Sequence, residues 1–314
     1  MPNGETTPIE TAQLLTAPRE WRRAVVERLF LLACLVAVVF GVLALLALLY
    51  GVFRDGLHRL DWEFLTSFPS RKAERAGIYS ALIGTLWLMG LVTLFTVPIG
   101  IASAIYLEEF APRNRLTSFI QINITNLAGV PSVVYGLLGL AIFVRMLEPI
   151  TSGQAFGFAN TSGRSVLAGS LTMSLLILPM VITACQEALR AVPQSHRQGA
   201  LALGSTTWEA VRHQVLPAAL PGMLTGVILG LSRAIGETAP LITIGALTYV
   251  AFIPKTPFDG FTVLPIQIFN WASRPQEAFH ANAAAGILVL LVVLALFNSV
   301  AIVLRIWARR RLER

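Results

Sequence analysis

Charge is what this sequence has least of. Only 13% of its 314 residues are Asp, Glu, Lys or Arg, against about a quarter in a soluble domain. That is too little polar side chain to cover a water-facing surface, so a soluble globular fold is excluded. Lysine is nearly missing: Lys72 and Lys255 follow Arg71 and Pro254, and the Gly-Lys-Ser or Gly-Lys-Thr that closes a phosphate-binding P-loop does not occur. Hydrolysis of a nucleotide therefore has to be the work of another chain. Cysteine is limited to Cys34 and Cys185, far apart and in or beside apolar runs, which gives neither a disulfide framework nor a metal motif. His58, His196, His213 and His280 stand without ligand spacing, so no metal centre is expected.

What is there instead is apolar side chain, 55% of the residues, with a mean hydropathy of +0.69. Crossing a bilayer core of about 30 Å takes roughly 20 apolar residues in a helix. Six runs qualify, near 29–53, 78–107, 123–145, 166–184, 218–239 and 283–304. The first is longer than the roughly 7–15 apolar residues of a secretory signal, so it is expected to be retained. No internal repeat, low-complexity tract or inserted soluble domain interrupts the pattern. The expectation is an all-α membrane protein of six transmembrane helices over residues 25–308, with a polar N-terminal tail, 1–24, of flexible composition, and a basic C-terminal tail, 309–314.

The net charge of +7 lies mostly in short loops and tails beside the runs, which fits membrane topology rather than nucleic-acid binding. Six crossings put both termini on one side. That side carries 14 of the 24 Lys and Arg, including Arg113, Arg115, Arg190, Arg197 and Arg212 in two loops. The other side carries 8, Arg164 among them, and Arg145 and Arg233 fall inside runs. Positive charge gathers on the cytoplasmic side. Both termini and the loop 185–217 are accordingly expected in the cytoplasm.

That loop reads "QEALRAVPQSHRQGALALGSTTWEAVRHQVLPAALPGM". A short helix over 194–203, with Ala200, Leu201 and Leu203 on its apolar side, starts after Pro193 and ends at Gly204. A second is signalled by Thr206 or Thr207 as N-cap, by Trp208, Val211 and Val215 at helical spacing, and by a stop at Pro217. Two such helices make either a compact knob or an element lying on the lipid surface. The segment resembles the "EAA" coupling loop of ABC importer permeases, the MetI-like fold. Gln198-Gly199-Ala200 stand at the Glu-Ala-Ala position, Leu203 precedes the loop glycine at Gly204, and Leu216-Pro217 close the pattern. Spacing is kept throughout, while Gln198, Gly199 and Gln214 depart from the consensus. The resemblance implies that this loop docks on a separate ATP-binding subunit, which would bind ATP and Mg while this chain carries no cofactor.

The stretch "LGLSRAIGETAPLITIGAL", residues 229–247, sets Arg233 and Glu237 in an otherwise apolar run. Counted from Pro217 at about 1.5 Å per residue, Arg233 lies roughly 24 Å along the helix. An arginine at the bilayer centre costs about 2.5–3.5 kcal/mol even on the mildest scale, so it must face protein or a water-filled path. Glu237, four residues on, falls on the same face of a continuous helix and is expected to compensate it. Gly230 and Gly236 thin the helix and Pro240 interrupts it just beyond. The pair either fastens this helix to a neighbour or lines a transport route together with Thr238. "RAIGETAPL", with "VPSVVYGLLG" at 130–139 and "VPIGIASAIYLEEF" at 97–110, resembles the phosphate-specific ABC permeases, and "LPIQIFNWASRP" at 264–275 is closer to their PstA type. The resemblance covers the chain from about residue 25.

That likeness implies a pore shared with a second permease of the PstC type, a PstB-type ATPase dimer and a PstS-type periplasmic phosphate-binding protein, all in the bacterial inner membrane system. An arginine suits an oxyanion, since its planar guanidinium makes paired hydrogen bonds and stays charged. Other readings remain open at this point: permeation of sulfate or molybdate, a proton-coupled secondary transporter with Glu237 as relay, and a membrane component of phosphate signalling. Asn123, Asn126 and Tyr135 could line a pore or bond helix to helix. Pro98, Pro131 and Pro179 are expected to kink their spans.

Overall fold

The computed structural model describes residues 8–158, 163–246 and 249–312. The ends of both predicted tails, 1–7 and 313–314, lie outside them. Among the described residues there are helices and no strand. Two compact units divide at Arg54 and Asp55. The first is in essence one helix, α1 (Pro8–Gly56), of 49 residues. At 1.5 Å per residue it is roughly 70 Å long, more than twice the bilayer core. It begins inside the tail expected to lack structure. None of its apolar window is buried, so those side chains need lipid or another chain around them.

The second unit runs through α2 (Trp62–Thr66), α3 (Tyr79–Ile105), α4 (Arg115–Leu127), α5 (Ser132–Gly139), α6 (Glu148–Thr151), α7 (Val166–Arg190), α8 (Gln194–Ala202), α9 (Thr207–Ala210), α10 (Leu216–Gly236), α11 (Ala239–Ile244), α12 (Leu264–Ala272) and α13 (Glu277–Leu312). Five helices among the described residues are long and apolar enough to cross a bilayer, and a sixth crossing forms when α4 and α5 count as one broken span. The run at 123–145, expected to be one kinked helix, is therefore two segments bent by 107°. Pro131 explains the break. It lacks an N–H and forces Val130 away from helical geometry, so the ladder stops and a turn through Ala128 and Gly129 intervenes. Pro98 and Pro179, by contrast, lie inside continuous helices.

Three wide, π-helical segments also escape a periodicity argument: Tyr106–Phe110, Leu140–Met146 and Val211–Val215. The last corrects the predicted stop at Pro217. There the amide of Leu216 bonds the carbonyl of Val211, one residue further back than in an α-helix. That shift absorbs the proline at 217, which has no donor of its own. The result is one helical rod from Thr207 to Gly236, where two elements were expected.

The packing centre is α7, buried among α3, α4, α5 and α10. Where backbones must approach closely in an apolar solvent, small residues line the contact. Gly230 meets α7 so closely that a Cβ there would sit 2.8 Å from Val181 Cγ2 and 3.0 Å from Ile177 Cγ2. Gly136 of α5 lies against α11, where a Cβ would come within 2.7 Å of Pro240 Cα. At the end of the bundle remote from the 185–217 loop, a second cluster gathers Phe64, Ile78, Leu264, Trp271 and Phe279. Arg59 holds it together, donating from Nε to Asn282 Oδ1 at 3.0 Å and from Nη2 to the carbonyls of Ala73, Glu74 and Ala76.

Replacing Gly136 with Val should cost about 1–3 kcal/mol, the usual penalty for overpacking. Gly236→Ala, with nothing within 4 Å of its added Cβ, should stay within about 0.5 kcal/mol. Thermal unfolding of the purified variants reads the difference, and equal midpoints would refute the α5–α11 contact.

Candidate functional site

Two places on this frame carry polar chemistry. The first is the loop between α7 and α10. Pro193 opens α8 and Gly204 closes it with φ at 88°, a left-handed conformation that favours glycine. The amide of Ser205 reaches the carbonyl of Ala200 at 3.2 Å and that of Gly204 reaches Leu201 at 3.0 Å, the paired bonds of a Schellman stop. Thr206 then caps α9 in a capping box with Glu209. Gln198, Gly199 and Ala200 lie on α8, and Leu203 is its 90% exposed C-cap. Leu201 and Trp208 are exposed as well, so the apolar side of the loop presents itself outward. Leu216 and Pro217 open α10.

Arg197 fixes this loop to the bundle, and nothing in the sequence pattern marked it. Its Nε donates to both carboxylate oxygens of Glu109, at 3.2 and 3.1 Å, and Nη2 adds a third bond to Oε1. The other donors take the carbonyls of Val192 and Leu189, each at 2.9 Å, which are freed where α7 ends. One guanidinium thus joins α8 to the ends of α3 and α7. The side chains are 15% and 7% exposed, and the hydrogen bonds that Arg197 donates to Glu109 hold its pKa above the ordinary value. Arg190–Glu108, at 2.9 Å, is a more exposed companion of the kind worth little. Just inside the same region, Gln121 of α4 and Gln186 of α7 exchange amide hydrogen bonds of 3.0 and 2.8 Å.

The second place is the end of α10. Arg233 sits in its last turn and lines a narrow cleft with Leu127, Ala128, Val130, Tyr135, Leu176, Ile177 and Met180. The broken third span, the middle of α7 and the end of α10 meet there. Tyr135 has spent its hydroxyl on the carbonyl of Leu127, at 2.8 Å, so it braces the α4–α5 turn. Asn123 bonds its own helix at Phe119. Ser232, next to Arg233, donates to Asn298 Oδ1 at 2.6 Å and ties α10 to α13.

The expected Arg233–Glu237 pair is absent: among the described residues the ion pairs are others. The reason is local. The helix ends at Gly236, and Glu237 is extended with ψ at 125°, so the i to i+4 relation between the two residues is broken. Pro240 does not make the interruption. It lies in the first turn of α11, a position prolines favour, and the break falls at Glu237 and Thr238. Gly236 has open space around it, so of the two glycines only Gly230 serves a close approach. Arg233, Glu237 and Thr238 are all at this break, with the Thr238 side chain capping nothing and Arg233 exposed to the cleft.

A helical, multi-pass membrane bundle with two broken spans and a braced surface loop defines a transport permease. Residues 96–314 match the family model described as "Binding-protein-dependent transport system inner membrane component", and the chain belongs to that family, whose members work as ABC importer permeases beside an ATPase and a substrate-binding protein. Among relatives, "Probable ABC transporter permease protein YqgI" of Bacillus subtilis is 29% identical over 84% of this chain and 91% of its own length. "Phosphate transport system permease protein PstA 1" of Mycobacterium tuberculosis is 33% identical over 75% of this chain and, in two strains, 72% and 71% of its own length. A crystal structure of a bacterial alginate ABC transporter has a TM-score of 0.62 and 17% identity over 90% of this chain and 96% of that one, a likeness of fold alone.

Truncating Arg197 to Ala leaves Glu109 buried without a partner, a loss of about 3–5 kcal/mol when such a pair is broken. A double-mutant cycle with Glu109→Gln, read by thermal unfolding of the purified permease, should give a coupling of at least about 1 kcal/mol. Additive effects would show that the two residues act independently.

Proposed function

We propose that this chain is the PstA-type permease subunit of an ATP-driven importer that carries inorganic phosphate across the bacterial inner membrane. It would work with a PstC-type permease, a PstB-type ATPase dimer that binds ATP and Mg, and a PstS-type periplasmic binding protein. Both termini and the 185–217 loop face the cytoplasm in this reading, which the arginine distribution supports. The observation that carries it is Arg233: a guanidinium with no ion-pair partner among the described residues, in a narrow cleft where the third span breaks and near where α10 ends. A charge in that position needs water, a counter-ion or a permeating anion. Phosphate as the anion is supported by the several relatives named as phosphate permeases, such as a Haemophilus influenzae protein 28% identical over 88% of this chain.

The route then has three parts with distinct tasks. Arg233 offers a planar, permanently charged donor fork to two phosphate oxygens. One arginine leaves a dianion with excess charge, and the partner permease supplies a second cation. Glu237, extended and free of Arg233, accepts the proton that monohydrogen phosphate still carries, while fully ionised sulfate meets only repulsion there. The ATPase grips the exposed Leu201, Leu203 and Trp208 of the loop. Because Thr207–Gly236 is one rod, displacement of the loop moves the end of α10 and with it Arg233.

Reconstituted with its partner subunits, Arg233→Ala should lower ATP-dependent phosphate uptake about 100-fold, the equivalent of one lost charge-assisted contact, at an unchanged level of protein in the membrane. Normal uptake would reduce Arg233 to a structural residue. Glu237→Gln should keep uptake but lower the preference for phosphate over sulfate by about tenfold. An unchanged preference in competition assays would remove Glu237 from selection.

A further inference from the structure

The far end of α11 holds a second arginine that the transport route described above does not use. Arg164 stands just before Ser165, the N-cap of α7, and its side chain is exposed. It packs on the backbone of Gly245, where α11 ends: a Cβ added there would lie 3.1 Å from Arg164 Nε and 3.2 Å from Cζ. Gly245 also has φ at 85°, so both its conformation and the guanidinium beside it call for glycine. On the other side, Gly163 abuts the backbone of Val144, with Val144 Cα 3.3 Å from its added Cβ. The residue after Val144 is Arg145, likewise exposed.

Three segments that are distant in sequence thus converge: the end of the Leu140–Met146 segment, the entry to α7 and the end of α11. They set Arg164 on Gly245 and Gly163 against the backbone next to Arg145. Among the described residues, no carboxylate or carbonyl takes the guanidinium of either. Two carboxylates belong to residues that adjoin these segments. The carbonyl of Asp259 accepts from the amide of Val166, but its carboxylate is committed to the amides of Lys255 and Thr256, at 2.7 and 2.9 Å. Glu148, three residues after Arg145, is exposed and forms no ion pair within the described residues.

This place stands in a fixed relation to Arg233. From Ser165 to Ile177, which walls the Arg233 cleft, α7 rises roughly 18 Å. That rise sets the two arginine positions apart as separate stations. The helix α11 links them, starting at the break beyond Arg233 and ending on Arg164. Arginine is disfavoured in short loops on the outer side of a membrane, so topology does not account for Arg164, and Arg145 lies at the end of a span, where a charge is costly.

We propose that Arg164, supported by Arg145, forms a second oxyanion site at the outer mouth of the route, which receives the anion before Arg233 does. The ligand is a tetrahedral oxyanion, held by the guanidinium fork of Arg164. The outward sidedness and the identity of the anion as phosphate rest on the function proposed above. Steering by the pair raises the local anion concentration and weakens as salt is added.

The test labels exposed arginines with phenylglyoxal on the permease pair and ATPase complex in lipid nanodiscs. Modification of Arg164 is followed by peptide mass spectrometry in inorganic phosphate or in chloride of equal ionic strength. Phosphate at about twice its dissociation constant or more should slow modification of Arg164 at least about threefold, by simple mass action. Equal rates in the two salts would overturn the proposal, whatever Arg233 does. In proteoliposomes Arg164→Gln should raise the phosphate concentration for half-maximal uptake about tenfold, Arg164→Lys should recover part of that loss, and added salt should weaken uptake less in Arg164→Gln than in the unaltered chain. Unchanged half-saturation in Arg164→Gln would likewise remove the site from transport. Should Arg233→Ala transport normally while phosphate still protects Arg164, the route through Arg233 fails and the outer site stands.

Discussion

An arginine in an apolar bundle, with no carboxylate beside it, constrains everything around it. Its charge is costly in hydrocarbon, and a helix that carries it must turn it toward protein, water or an anion. The same holds for backbone: irregular chain is tolerated at membrane depth only where it is buried in protein or lines a cavity. In this fold the two requirements coincide. The turn between α4 and α5, the middle of α7 and the end of α10 share one cleft, and Arg233 opens into it. Close packing holds α10 against the unbroken α7 at Gly230 and α5 against α11 at Gly136.

The other end of the molecule obeys a different constraint. A surface loop can pass force to a membrane helix only if it is stiff and anchored. Stiffness comes from the two helix stops, the Schellman turn at Gly204 and the capping box at Thr206. Anchorage comes from Arg197, which ties α8 to the ends of α3 and α7 through Glu109 and two carbonyls. The wide turn at Val211–Val215 then carries the chain past Pro217 without a hinge. Loop and cleft are connected by a single rod of 30 residues.

Much of this was legible in the sequence, for reasons that also mark its limit. Apolar runs give away spans because bilayer thickness sets their length, and five appear as single helices. Caps are local, so Pro193, Gly204 and Thr206 announced the loop helices within a few residues. The candidate residues at 198–204 and 233–238 fall together as two structural places for the same reason. What periodicity misreads is a helix whose register changes. It carried α10 through Gly236 and so paired Glu237 with Arg233, and it ran the third span through Pro131. Partners remote in sequence were invisible: Arg197 and Glu109 are 88 residues apart, Gln121 and Gln186 are 65 apart, and Arg164 meets Gly245 only in the fold.

The central claim is that the break after Gly236 opens onto a hydrated path for an anion. Single cysteines at positions 229–240, in a chain with Cys34 and Cys185 replaced, can be probed with a water-soluble thiol reagent in the assembled complex. The account predicts reaction at 233, 236 and 237, slowed by phosphate, with protection from the reagent at 230 and 234, where α10 is buried. Silence at 233 and 237, or reactivity that ignores both helix face and phosphate, would contradict it.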